Sequence, residues 1–380
     1  MAGLVLNDEQ QMLKDAAQRF FADRAPVSAL RRLRDERDAT GFSRELWSEM
    51  VEMGLVGTLI DEALGGTGFG NVGMGLIAEE TGRNLCASPL LSTAVLGASL
   101  VQLAGNDSQK QALLPAIADG SRLTALALDE RPRHAPRHIE TRAEQNGDGF
   151  TLSGRKINVI DGHVADTLIV AGRSTGQPDD SEGLTLLLVD RDAAGVSVQR
   201  TIMVDSRNAA IVTFDNVHVP ADAVLGTPGK GWKPLQRVLD IANAHLAAEL
   251  LGIAQESFER TVKYLQERKQ FGVTIGSFQG LQHRAAHLFS EIELVKSAVL
   301  KALQALDDGD ERTPELVSLA KAKACEVAEL ATNEGVQMHG GMGMTDEFDI
   351  GLFLKRARPV QQLFGDYRYH ADRFAALRGY

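Results

Sequence analysis

From Asn7 to about Ser121 the apolar residues recur at three- and four-residue spacing: Met12, Ala16 and Phe20 in one run, Leu46, Met50 and Met53 in another. Gly or Pro closes each run. That spacing stacks side chains along one face of a helix, so the first third of the chain is predicted to be helical. Asn7 or Asp8, ahead of EQQMLKDAAQRFF, has the chemistry of an N-cap, and the acidic and amide groups in the next turn suit the positive end of a helix dipole. The first helix is therefore predicted to start near Asp8.

Between about Thr124 and Val224 the period changes. GFTLSGRKINVI, DTLIVAG, GLTLLLVD, VSVQRTI and NAAIVTFDNVHV have strand composition, with Gly, Asp and Pro between them. NGDGF supplies turn chemistry, and TGQPDDSEG reads as a mobile surface loop. After GTPGKGW the helical period returns, and charged and apolar residues interleave in Glu256 to Leu265 and Ala285 to Lys301 as in helices packed in a bundle. No βαβ alternation occurs, which argues against a doubly wound dinucleotide-binding sheet. The expected fold class is α+β, mostly α. A helical domain at residues 1–122 precedes a middle β-barrel-like domain at 123–228 and a C-terminal four-helix bundle at 229–380.

Composition narrows the function. The chain has 380 residues, 44% of them hydrophobic, enough for more than one core, and a formal charge of -11. A surface for a phosphate backbone needs clustered Lys and Arg, so nucleic acid is not an expected partner. The two cysteines, Cys86 and Cys325, lie far apart without metal-ligand or redox spacing, which fits a reducing compartment and no metal. MAGLVLNDEQQ lacks the pattern of a secretory leader, and no run of about 18 uncharged apolar residues occurs. The expectation is a soluble, cytoplasmic chain with no membrane insertion.

Two C-terminal segments carry candidate chemistry. In ERKQFG, Arg268 offers a planar multi-donor head suited to a diphosphate, Phe271 an apolar anchor, and Gln279, further on, an amide partner. An exposed basic helix end followed by a core Phe is the bland alternative. In QMHGGMG, Gly340 and Gly341 would let a backbone approach a ribose or diphosphate, with Gln337 as a hydrogen-bonding group; a helix C-cap explains the same glycines.

With ELWSEMVEMGLVGTLIDEALGGTGFG, AEETGRNL, LLPAIADGSRLTALAL and LSGRKINVIDGHVADTLIVAGR, these segments occur in an order that resembles the acyl-CoA dehydrogenase family over nearly the whole chain. The resemblance implies FAD as cofactor and α,β-dehydrogenation of an acyl-CoA thioester, with an electron-transfer flavoprotein as acceptor. It implies that Arg268, Phe271 and Gln279, with the Gln337, Gly340 and Gly341 turn, contact a dinucleotide bound mainly by a neighbouring subunit. The flavin-facing strand would place Asn158 and Ile160 at the flavin edge.

The same resemblance exposes departures. Relatives keep the catalytic base in a Tyr-Glu-Gly-Thr stretch; here KRARPVQQLFGDYRYH puts Gly365 at the glutamate's place, with Asp366 beside it. A second family arrangement puts the base where Ala242 stands. Glu249 lies two turns beyond Ala242, about 10 Å along the same helical face, and is the first candidate for a substitute base. Asp366 is the weaker one, with helix capping as its competing role. The usual Glu-Pro-Gly-Ala-Gly-Ser-Asp loop has become DERPRHAPRHIET, best read as a solvated loop, and Ile160 replaces a hydroxyl expected near flavin N5. LFLKRAR, LFGDYRYH and AAELLG resemble the small subunit of pimeloyl-CoA dehydrogenase and subunits of heterotetrameric steroid-degrading enzymes of the family, which implies that a partner chain supplies the base. The expected assembly is a homotetramer or an α2β2 heterotetramer. The alternative function is a non-catalytic partner subunit that contributes an interface and part of the FAD site.

Overall fold

The computed structural model describes residues 4–380. Helices α1 (Asp8–Arg24), α2 (Val27–Asp35), α3 (Arg44–Glu52), α4 (Gly70–Arg83), α5 (Ala98–Ala104) and α6 (Asp107–Ala118) fill the first third of the chain. Strands β1 (Thr124–Ala127), β2 (Arg142–Asn146), β3 (Gly149–Ile160), β4 (Thr167–Arg173), β5 (Leu184–Asp190), β6 (Val196–Ile202), β7 (Asn208–Pro220) and β8 (Val224–Leu225) fill the middle. There follow α7 (Trp232–Glu267), a two-strand ribbon of β9 (Lys269–Gln270) and β10 (Val273–Thr274), then α8 (Gln279–Asp307), α9 (Thr313–His339), α10 (Ile350–Gln362) and α11 (Tyr367–Arg378). In space the chain forms two compact units, neither of them contiguous: residues up to 36 with 71–87 and 243–380, and residues 37–70 with 88–242.

The second unit is built on one eight-stranded sheet, ordered β6-β7-β3-β2-β4-β5-β8, with β1 added to β4 in parallel. β4 is buried at every position, as a strand covered on both faces must be. Leu152, Leu168, Val170, Leu187, Val212 and Phe214 form its core. Beside it, α5 and α6 close a smaller cluster around Val101, Leu114 and Ile117, and the Trp47 indole donates to the Gly120 carbonyl at 3.2 Å.

The TGQPDDSEG segment, expected as a mobile surface loop, is exposed at most positions but anchored from beneath. The Arg173 guanidinium, 7% exposed, donates to the carbonyls of Arg137, Pro178, Asp180 and Glu182 at 2.6 to 2.9 Å, so the segment is folded around a buried cation. Turn-rich composition marks a bend; it does not report what holds the bend.

In the first unit α1 starts where expected. Asn7 accepts from Gln10 N while Gln10 reaches back to the Asn7 amide, a reciprocal cap. Its buried face is one residue out of phase with the expected one, because Ala17 and Phe21 are buried while Met12 is 71% exposed. α4 and α7 touch backbone to backbone: a Cβ at Gly82 would lie 2.2 Å from Glu249 O, and one at Gly252 would lie 1.9 Å from Glu79 O. Glycine is required at both positions because of that approach. α8 and α9 form a helical hairpin that turns at Gly309, φ +64°, and a proline stands at the start of α9 where no amide partner is needed.

Candidate functional site

The ribbon after α7 presents the first group of predicted residues. Its two central residues, Phe271 (φ +53°) and Gly272 (φ +79°), are both left-handed, the geometry that matches a two-residue hairpin to the twist of its strands. An aromatic residue rarely adopts that conformation, and Phe271 is 92% exposed. Phe278 meets it edge to face at 6.3 Å. Arg268 and Gln279 are also exposed, and Arg268 makes no ion pair among the described residues. These side chains face outward and have not been drawn into the chain's own packing. A core role for Phe271 is therefore ruled out.

The second group lies at the end of α9. His339 is buried, stacks on Tyr264 at 4.3 Å with the rings 21° apart, and lies 2.7 Å from the Gly335 carbonyl; burial lowers its pKa. Gly340 has φ +62°, and a Cβ on either Gly340 or Gly341 would meet nothing within 4 Å. Of these two only Gly340 needs glycine for its own backbone, and the space above both is open to a group from outside. The following segment is stapled down. Arg34 binds Asp346 through Nη1 and Nη2, each at 2.8 Å, Arg31 reaches Asp346 at 3.1 Å and Asp349 at 2.9 Å, and Arg260 meets Asp349 at 2.9 Å. The hydrogen bonds from Arg34 hold the Asp346 carboxyl down at about 2.

The strand-borne pair lies in the sheet unit. Asn158 is exposed with φ +53°, at an irregularity in the β3–β7 register between Lys156 and Val159, and Ile160 is buried. Behind them Lys156, fully buried, donates to Glu130 at 2.7 Å and to the Leu128 carbonyl at 3.0 Å; burial lowers its pKa against the opposing pull of Glu130. Glu130 also accepts from the amides of Glu140 and Thr141, which ties off DERPRHAPRHIET as a closed loop. Its histidines are engaged rather than solvated: His134 lies 3.0 Å from Asp129, and His138 lies 3.0 Å from Asp179 and 2.8 Å from Glu140.

The two candidate bases have other engagements. Glu249 is 7% exposed and lies 3.6 Å from Arg356 Nη1. Arg356 is completely buried and donates to the carbonyls of Leu85 and Cys86 at 2.9 and 3.0 Å, just past α4. A buried guanidinium requires a counter-charge, and Glu249 provides one. The Asp366 carboxylate accepts from the Tyr369 amide at 2.9 Å and caps α11. At Gly365, φ is +112°, and a Cβ would lie 2.3 Å from Tyr369 Cδ1 and 2.9 Å from His370 Nε2. Ala242 is fully buried.

Sequence reasoning missed Arg356 and Lys321 as structural ions and Glu80 as a buried carboxyl. Lys321 carried a signal, since it shares the α9 face of Val317, Ala320, Ala324, Cys325 and Ala328, all of them buried.

Comparison with known proteins places these features. Family models described as acyl-CoA dehydrogenase N-terminal, middle and C-terminal domains match residues 7–121, 131–217 and 229–376. A probable acyl-CoA dehydrogenase of Bacillus subtilis, YngJ, is 33% identical over 364 residues, covering 94% of each chain. Among solved structures, a variant of the Tcur3481-Tcur3483 steroid ACAD is 31% identical with a TM-score of 0.87 over 98% of each chain. Butyryl-CoA dehydrogenase from Megasphaera elsdenii is 27% identical with a TM-score of 0.91 over the whole of each. The chain belongs to the acyl-CoA dehydrogenase family, whose members are FAD-dependent oxidoreductases. Its C-terminal residues fit such a cofactor: Arg268 without an acidic partner, exposed Gln279 and open glycines at 340 and 341 are groups that a dinucleotide can meet. No helix among the described residues is long and apolar enough to cross a membrane.

Proposed function

We propose that this chain is one subunit of a heteromeric, FAD-dependent acyl-CoA dehydrogenase in which a partner chain supplies the base that removes the α proton. The observation that carries this reading is the state of the three positions open to a base. Gly365 has no room for a side chain, Asp366 caps α11, and Glu249 neutralises Arg356. Arg268, Phe271, Gln279, Gln337, Gly340 and Gly341 supply half of a cofactor site across the subunit boundary. Those residues would hold the FAD, which would supply a hydride acceptor for the β carbon of the thioester. The protein holds the thioester against it and keeps water away. A separate electron-transfer flavoprotein is the natural acceptor, and two buried cysteines outside any disulfide suit a reducing cytoplasm.

The test is expression of the chain alone and with a candidate partner that carries an intact base. Expected results are weak or absent dehydrogenation of any acyl-CoA by the chain alone, with an artificial acceptor, and a yellow, active assembly once the partner is present. A chain that is yellow and fully active by itself overturns the heteromeric reading. If Glu249→Gln then flattens the acid limb of the kcat–pH profile at temperatures where the variant is folded, Glu249 is the base after all.

A further inference from the structure

Behind the turn from α10 to α11 is an arrangement that the dehydrogenation chemistry leaves unexplained. Lys321 on α9 is fully buried, and its ammonium donates to the carbonyls of Val360 at 3.1 Å, Leu363 at 2.9 Å and Gly365 at 3.3 Å. Three donors thus meet three acceptors, the full capacity of an ammonium. The remaining carbonyl of the turn, Phe364, accepts from Asn243 Nδ2 at 3.2 Å and lies 3.2 Å from His370 Nε2. Left-handed backbone at Phe364 (φ +54°) and Gly365 (φ +112°) is what swings these carbonyls inward. One turn earlier, Gln361 Nε2 donates to the Cys325 carbonyl at 2.7 Å and ties the end of α10 to α9.

A buried ammonium is costly unless its surroundings replace water. Here they do so twice over. The last carbonyls of a helix lack partners and carry the negative end of its dipole, and Lys321 is placed against them. Glu249 and Asp366 add negative charge nearby. The outer side of the same turn, Asp366 and Tyr367, forms a wall of an open groove of about 660 Å³ with Glu329, Asn333 and Arg358.

We propose that Lys321 is a positioning residue of the enzyme: it fixes the backbone of the Leu363–Asp366 turn, so that the reacting groups meet a rigid wall. The proposal rests on the acyl-CoA dehydrogenase reading, which assigns this turn to the place of the family's base. The turn works as a shaped backbone and needs no side chain at Gly365.

The experiment uses the FAD-loaded assembly with its partner. Lys321→Met removes the ammonium and preserves the stem. The expected result is a kcat lower by about tenfold or more, since misplacement by about an ångström costs roughly a hundredfold. KM and flavin content per chain should stay within about threefold, and amide exchange at residues 363–369 should accelerate while the first turns of α9 stay protected. Asn243→Ala, which removes one bond to the same turn, should show the same pattern more weakly and serves if Lys321→Met does not fold. Unchanged kcat in a variant whose turn exchanges faster overturns the proposal and leaves Lys321 a purely structural ion. Unchanged exchange overturns it as well. A wild-type assembly inactive on every acyl-CoA tested instead overturns the functional reading, while the exchange measurement still decides whether Lys321 holds the turn.

Discussion

Writing the missing glutamate back, as Gly365→Glu, is expected to damage the protein and to create no base. Two effects add. A non-glycine residue at φ +112° is strained, at about 1–3 kcal/mol. The new Cβ would also stand 2.3 Å from Tyr369 Cδ1 and 2.9 Å from His370 Nε2. His370 is fully buried and meets Tyr369 edge to face at 5.1 Å, so neither ring can swing aside freely, and overpacking of this kind costs about 1–3 kcal/mol. The sum, about 2–6 kcal/mol, is comparable to a large part of a domain's stability. Both effects arise at Cβ, so Gly365→Ala should account for most of the loss, and the rest of the glutamate side chain should add little. Thermal unfolding of wild type, Gly365→Ala and Gly365→Glu, with an acyl-CoA dehydrogenation assay of each chain without partner, reads both halves. If Gly365→Glu melts within about 1 °C of wild type, or gives the lone chain activity, the turn is more open than its geometry states.

Two further outcomes follow from other parts of the chain. Glu80 is 1% exposed with neither carboxylate oxygen in a hydrogen bond; burial pushes its pKa up to about 7, with Arg83 at 3.8 Å opposing. Because the folded state holds this proton more tightly than the unfolded one, the ionised form costs nothing below about pH 4.5, and the cost grows until about pH 7. With the folded-state pKa at about 7 the ceiling is about 3 kcal/mol, so Glu80→Gln should raise the melting temperature by about 1–4 °C at pH 8 and not at pH 4.5. A shift independent of pH would refute this. Arg268→Ala should lower FAD retained per chain after gel filtration by about tenfold or more, with the melting temperature of the isolated chain unchanged, because the side chain has no acidic partner of its own. Undiminished flavin would remove Arg268 from the cofactor site.

Much of the fold was legible because it rests on local rules. Runs of strand composition marked β3 to β7, the Asn7 cap marked the start of α1, and the capping alternative for Asp366 is what the geometry shows. β1 and β2 escaped notice for opposite reasons. TALA is too short to show a period, and RAEQN is mostly exposed and polar. The phase of α1 was misread because three- and four-residue spacing fits Met12, Ala16 and Phe20 as well as Ala17 and Phe21, and only packing chooses between them. Buried ions were the least legible. Arg173, Lys321 and Arg356 each bind carbonyls, several of them distant in sequence, and apart from the apolar face around Lys321 no single-chain pattern announces which lysine or arginine will find them.

Glu249 shows why loss of activity alone is a poor witness for a catalytic base in this chain. Removing one partner of a buried ion pair costs about 3–5 kcal/mol, because the other charge is left uncompensated. Arg356, fully buried, would be that charge. Glu249→Gln is therefore expected to lower the melting temperature whether or not Glu249 touches substrate. The two roles separate in a different measurement. A base leaves its protonation in the pH dependence of kcat, so its loss flattens the acid limb of the profile at temperatures where the variant is folded. A counter-charge leaves the profile in place and moves only stability. Since Arg356 also holds the carbonyls just past α4, loss of the counter-charge should loosen the amides around Leu85 and Cys86. Faster exchange there with an unmoved pH profile would assign Glu249 to the frame and leave the partner chain as the source of the base.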